Sequence, residues 1–349
     1  MSESPKLRTV AISGLLMVPL LLSGCTGIMS SQSMSIDPPP AEIENQMLDA
    51  SENERVKNNL PVSSTLYLKD SYGRLAPVSL GLPESADTLV GELEALVKKG
   101  PYEAMLPAGF EGVLPEGTAI KQVTVQPEQK LAVVEFEQAL GGYTAKEERQ
   151  LLEAVTWTLT EHSDIEKVQL WANGEKLTAM PVNQTPLDRP LSRTMGINLE
   201  KGEGASYLQS SPVTVYFSAL TPNMEQYYVP VTRLVATGQE SLEAAIHELI
   251  KGPQYGEGLE QVMTSATVLD SIKAAEDGTV TVALKDDMFA DGDMIPDELL
   301  ESVVLTVAEN KQSAKVQIML NEHTNVIGTN NKNYSKPVTK PEYINEIKL

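Results

Sequence analysis

The chain repeats itself at a fixed offset, and that repeat constrains its fold more than any other feature. "LLEAVTWTLTE" (Leu151 to Glu161) aligns with "LLESVVLTVAE" (Leu299 to Glu309), and "KVQLWANGE" (Lys167 to Glu175) with "KVQIMLNEH" (Lys315 to His323), both 148 residues apart. Two looser matches extend the pattern. "LEALVKKGP" (Leu93 to Pro101) answers "AIHELIKGP" (Ala245 to Pro253), and "PLSRTMGIN" (Pro190 to Asn198) answers "PVTKPEYIN" (Pro337 to Asn345). Self-similarity of this kind means one supersecondary unit used twice. Two copies of a single domain follow, about residues 65–198 and 213–345.

Each copy reads as ββαββαβ. "TLYLKD" and "RLAPVSL" flank Ser71-Tyr72-Gly73, and "VTVYFSA" and "YYVPVTRLV" flank Thr221-Pro222-Asn223, as two hairpins. Leu89, Leu93, Leu96 and Val97, or Leu242, Ile246, Leu249 and Ile250, stripe a first helix. Gly-Pro at 100–101 and 252–253 is expected to stop both helices, since Gly tolerates the left-handed cap and Pro cannot continue the helix. Two strands come next, "AIKQVTV" with "KLAVVEFE" and "ATVLDSIKAA" with "GTVTVALK". A second helix carries Leu151, Leu152, Val155 and Leu159, or Leu299, Leu300, Val303, Leu305 and Val307. The closing strand, "VQLWA" or "VQIML", reads as buried, which places Trp171 in the core. The expected class is α+β: two tandem ββαββαβ domains, each a small mixed sheet with two helices packed on one face. Ala179 to Pro212 joins them.

The N-terminal region is of another kind. Lys6 and Arg8 precede an apolar run from Val10 to Leu22, shorter than the roughly 20 residues of a spanning helix, in the layout of a secretory signal. Leu22-Ser23-Gly24-Cys25 resembles a bacterial lipobox. That resemblance implies cleavage before Cys25 and diacylation of its sulfur, palmitate included; two acyl chains anchor stably where one is marginal. Cys25 is the only cysteine in 349 residues, so the body has no disulfide, thiol nucleophile or thiolate metal site. Residues 26–63, rich in Ser, Pro, Asn and acids, read as a flexible tether. The expected plan is a lipoprotein signal peptide over 1–24, anchor and tether over 25–63, a first domain over 64–198, a linker over 199–212 and a second domain over 213–349. A formal charge of −21 excludes nucleic acid as a partner and repels anionic headgroups.

Chemistry-bearing motifs are sparse. His162, His247 and His323 fall in three different elements of the repeat and lack the i, i+4 spacing of metal ligands. No Gly-x-Ser-x-Gly elbow or Cys nucleophile occurs in the body. In "DDMFADGDMIPDE", Asp287, Asp291, Gly292 and Glu298 fit positions 1, 5, 6 and 12 of a calcium loop. Phe289 then takes a position that needs an oxygen ligand, and the preceding segment reads as a strand. Asp297 and Glu298 instead complement the helix dipole behind Pro296. Neither a catalytic, a cofactor nor a metal site is expected. Paired carboxylates are the one open route to an enzyme acting on cortex peptidoglycan, or to its regulator. Against it, no acidic pair is seen to recur at matched positions, and duplicated domains fit binding better.

Val215 to Phe217, the helix end Glu248 to Pro253 and the strand Val316 to Ile318 resemble the sporulation and germination domain called GerMN. Tandem copies behind a lipobox resemble the sporulation lipoproteins of endospore-forming bacilli. The resemblance implies a fold similar to ring-building motifs and a non-enzymatic role in endospore formation and germination. It further implies a scaffold or adaptor on the extracytoplasmic face of the mother-cell membrane, facing the forespore. There it would support a channel containing SpoIIIA and SpoIIQ type components, with a ring-forming oligomer among the arrangements implied.

Overall fold

The computed structural model describes residues 62–83, 87–200, 210–238, 240–254, 258–312, 314–323 and 325–347. The signal segment, Cys25 and the tether lie outside the described residues. Among the described residues no helix is long and apolar enough to cross a membrane.

Copy one contains β1 (Val62–Lys69), β2 (Leu75–Leu82), α1 (Thr88–Ala95), β3 (Ile120–Gln126), β4 (Leu131–Phe136), α2 (Glu148–Leu159), β5 (Lys167–Ala172) and a short β6 (Glu175–Lys176). Copy two contains β7 (Ser210–Leu220), β8 (Gln226–Ala236), α3 (Ser241–Lys251), β9 (Val268–Ala274), β10 (Thr279–Lys285), β11 (Met294–Ile295), α4 (Asp297–Asn310), β12 (Lys315–Leu320) and β13 (Ile327–Gly328). The α+β class and the ββαββαβ order are both present, with only two-residue strands added. β3 pairs antiparallel with β4 and β4 parallel with β5; β9, β10 and β12 repeat this. The parallel pair needs a crossover, which α2 or α4 supplies.

The hairpins do not join these mixed sheets. β1–β2 and β7–β8 each form a separate two-stranded sheet. Helix side chains cap their edges: Tyr67 N–H donates to Thr158 Oγ1 (3.0 Å) and Tyr216 N–H to Thr306 Oγ1 (3.1 Å). Those threonines occupy matched places in the repeat. An edge N–H engaged by a side chain is closed to a further strand.

Three local expectations are corrected. α3 is capped by Gly252, whose φ of +78 with ψ −178 is a backbone conformation open to glycine and not the left-handed helical cap expected, and α1 stops at Ala95, five residues before Gly100. The Leu96 carbonyl accepts the N–H groups of Val113 and Leu114 (both 2.8 Å), and Lys98 N–H donates to Leu114 (2.9 Å), so a strand-like pairing takes over the last helical turn. The stretch after Ala179 is not a bare connector. It bridges Ala179 to Pro186 and Val168 to Leu191, the second lengthening the sheet beside β5. Trp171, finally, is not in the core. Alternation along β5 buries Val168, Leu170 and Ala172, leaving Gln169 and Trp171 on the half-exposed face, where Trp171 Nε1 donates to Gln169 Oε1 (3.1 Å).

The buried tryptophan is Trp157 of α2, fully enclosed, with Nε1 donating to the Gly196 carbonyl (3.2 Å) and its ring edge-on to Tyr67. Trp157→Ala should cost about 3–5 kcal/mol, the range for deleting a large core aromatic. Trp171→Ala should cost about 1 kcal/mol or less. Urea unfolding followed by circular dichroism compares the two; equal losses would overturn the assignment of faces.

Candidate functional site

Both copies contribute matched side chains to the seam between β2 and β8. Pro77 and Pro230 stand at corresponding positions in these strands, and proline has no N–H to offer across a ladder. Two asparagines bridge the strands instead. Asn198 Nδ2 donates to the carbonyls of Leu75 and Pro230 (both 2.7 Å), while its Oδ1 accepts Leu75 N–H (2.9 Å). Asn345 Nδ2 donates to the carbonyls of Pro77 (2.6 Å) and Tyr228 (2.8 Å), and its Oδ1 accepts Tyr228 N–H (2.8 Å). Both asparagines have left-handed backbones, φ +46 and +55, which asparagine tolerates better than most residues.

The isoleucines before them extend the exchange. Ile197, from copy one, accepts Thr232 N–H of β8 (2.9 Å) and donates to Thr232 Oγ1 (2.9 Å). Ile344, from copy two, accepts Ser79 N–H of β2 (3.1 Å) and donates to Ser79 Oγ (2.9 Å). Each copy thus ends in an Ile-Asn clasp that closes on the hairpin of the other. The hairpin tips make the same exchange. A Cβ on Gly109 would meet the Pro222 ring at 2.6 Å and one on Gly258 the Tyr72 ring at 2.3 Å, so both loops need glycine to let the opposite tip approach. Between the tips Tyr227 donates to Asp70 (3.0 Å) and packs edge-on to Phe110.

A charged cluster lies beside the clasps. Arg193 Nη1 donates to both oxygens of Glu309 (2.8 and 3.0 Å), Nη2 to Glu161 (2.6 Å) and Nε to Thr160 (2.9 Å), with the guanidinium 4.4 Å from the Trp157 ring. Lys340, which answers Arg193 in the repeat, donates to both oxygens of Glu161 (3.1 and 3.2 Å). Tyr67 donates to Glu161 (2.8 Å) and Tyr216 to Glu309 (3.3 Å). Glu161 and Glu309 thus occupy matched positions, one carboxylate from each copy. At the cluster opens a cleft of about 760 Å³, walled by residues 160–163, 165–167 and 192–194 of copy one and by Glu309, Gln312 and Lys340 of copy two. A second ion pair is centred on β8. Arg233, fully buried, donates to Glu200 (2.7 and 2.9 Å) and to the carbonyls of Glu248 and Gly252.

These groups are arranged to hold, not to transfer protons. Burial alone would raise the Glu161 carboxyl, but Arg193 and Lys340, with hydrogen bonds from Arg193 and Tyr67, bring it down to about 2. A general acid needs the opposite shift. Burial does push Glu153 up, yet that side chain lies under the clasp, covered by Arg149 and the Asn198 N–H. The three histidines stay apart: His162 binds buried Glu92 (2.9 Å), which holds its pKa above the usual range, His247 lies 3.8 Å from Glu243 and His323 3.3 Å from Asp291.

Residues 65–178 and 214–326 match the family Germane, described as "Sporulation and spore germination". The chain belongs to the Germane family. It is 34% identical over 348 residues to the spore germination protein GerM of Bacillus subtilis (strain 168), covering 93% of this chain and 94% of the relative. The solved structure of the tandem GerMN domains of the sporulation protein GerM from Bacillus subtilis covers 82% of this chain and 99% of its own, at 36% identity and a TM-score of 0.75. The expected resemblance to tandem GerMN domains is borne out, and with it a role in sporulation and germination. Neither relative's name carries an enzymatic activity.

Asn345→Ala should cost about 2–3 kcal/mol, because buried carbonyls lose their donors. Asn345→Asp should cost more, since it sets a carboxylate against the Pro77 and Tyr228 carbonyls; chemical unfolding ranks the two, and an equal or reversed order would refute the bridging role. The charged cluster predicts an acid limit. Glu161 titrates lower when folded than when unfolded, so its contribution is complete above the ordinary carboxylate range and disappears as pH falls toward about 2. Unfolding series from pH 7 to pH 2 should show wild type losing more stability than Glu161→Gln across that window.

Proposed function

We propose that this chain is a non-enzymatic, lipid-anchored scaffold or adaptor of the spore-forming envelope. On this reading Cys25 carries the acyl chains, and the body stands on the extracytoplasmic face of the mother-cell membrane, facing the forespore. It works by protein contact, holding SpoIIIA and SpoIIQ type components of the channel between the two cells.

The observation that carries the reading is the reciprocal clasp. It joins two GerMN copies through matched contacts whose polar groups are saturated at the seam, while the β3–β6 and β9–β12 sheets keep half-exposed faces. Such a body suits the presentation of surfaces better than turnover. Membership in a family of sporulation and germination proteins supports the setting. The seam also bears on assembly: β2 and β8 occupy each other, so rings of such chains would have to grow through other faces.

The test is made in sporulating cells carrying the tagged full chain, as wild type or Cys25→Ala. Wild type should remain with washed membranes and, after cross-linking, return SpoIIIA and SpoIIQ type components; Cys25→Ala should be released. Retention of Cys25→Ala would refute the anchor. Release of muropeptides from added cortex, without recovery of channel components, would overturn the adaptor in favour of an enzyme.

A further inference from the structure

The two copies match closely at the seam and differ in the segment between the fourth strand and the second helix. In copy one that segment turns inward, with Leu140 buried. In copy two Phe289 packs against the core and Ile295 is buried, but both methionines face solvent. Met288 is 70% exposed, Met294 49% and Val268, on the neighbouring strand β9, 59%. Large apolar side chains exposed to this degree on one corner are uncommon on a soluble surface and mark contact sites.

The corner is built, not loose. Asp286, almost fully buried, accepts Thr264 Oγ1 (2.5 Å), Thr267 Oγ1 (2.6 Å) and the Met288 N–H (3.0 Å). Val268 follows Thr267 and lies across from Lys285, so Val268 and Met288 flank the same aspartate. Asn321 holds the loop from below: its Nδ2 donates to the carbonyls of Asp286 (2.8 Å) and Phe289 (2.9 Å). Asp293 closes the turn onto Ala290 N–H (2.8 Å), and β11 fixes Met294 beside Ile327.

Charge identifies the occupant. Asp287, Asp291 and Asp293 share the segment of the two methionines, Asp270 follows Val268 by two residues on β9, and all four are exposed. Lys285 pairs with Asp270 (2.5 Å) and His323 lies 3.3 Å from Asp291, which leaves Asp287 and Asp293 without a cationic partner among the described residues. An anionic lipid surface, an acidic protein or a second copy of this −21 chain would be repelled. We propose that Val268, Met288 and Met294 form a docking surface for a cationic amphipathic segment of a partner protein, its apolar face on the methionines and its Lys or Arg residues on the acidic surround. Methionine suits the task because its unbranched thioether adapts to different apolar shapes. The proposal rests on the adaptor reading and names the chemistry of one partner.

The full chain carrying Cys25→Ala is titrated against a labelled 15-residue Leu/Lys amphipathic helix, a scrambled peptide of the same composition, and a Leu/Glu helix, by fluorescence anisotropy. The Leu/Lys helix should bind best, and a Met288→Ser, Met294→Ser double variant should weaken it at least about fivefold, as expected when buried anchors are lost from a contact. The variant's thermal melt should match that of the parent, since both methionines are exposed. Equal binding of the scrambled peptide, or no change in the double variant, would overturn the proposal and leave only attraction to an acidic protein. The two readings fail separately: recovery of channel components by the double variant at wild-type levels refutes this surface and leaves the adaptor standing, whereas loss of recovery from wild type refutes the adaptor.

Discussion

Two asparagine amides hold the two halves of this protein in register. β2 and β8 each carry a proline where a ladder would form, so neither strand can donate there. A primary amide answers with two donors and an acceptor on one short side chain, and Asn198 and Asn345 use all three. Everything else at the seam follows their spacing. The isoleucines reach Ser79 and Thr232, the hairpin tips meet the glycine loops, and Arg193 and Lys340 arrive over Glu161 because they lie a few residues before the clasps in each copy.

Electrostatics makes the seam specific more than it makes it strong. Buried ion pairs repay little beyond their desolvation, but a buried charge without its partner is costly, so misaligned halves are penalised. Arg193 illustrates this with carboxylates from both copies and a tryptophan face beneath it. Arg233 does the same with Glu200, the last described residue of copy one before β7. The chain is strongly acidic overall, and at the seam Arg193 and Lys340 meet the matched acids Glu161 and Glu309.

Much of the fold is legible in the sequence because repetition and alternation are local signals. The element order, the hairpin turns and the helix stop at Gly252 follow from them. Trp171 departs from expectation because an apolar five-residue strand does not reveal which of its two faces is buried, and period two then decides every side chain at once. α1 is shorter than its stripe implies because a pairing with Val113 and Leu114, distant in sequence, outweighs helix propensity. The seam is partly visible. The alignment of Pro190–Asn198 with Pro337–Asn345 keeps a proline, a base and Ile-Asn where little else matches, and both helix repeats end in Glu. What sequence does not supply is the exchange, since nothing in a linear match tells whether a tail closes on its own hairpin or on its neighbour's. The apolar corner of copy two likewise reads in sequence as no more than an imperfect calcium loop, because its exposed methionines become meaningful only once Asp286 is seen to face inward.

The clasp from Ile344 to Ser79 spans 265 residues. A chain made from its N-terminus presents the first hairpin long before the residues that finish it have been added. Closure of this loop therefore waits for Ile344 and Asn345, and the first domain remains open at β2 until they are in place. The fold carries its own check on completeness: a product cut short just before Ile344 has both domains and only half a seam.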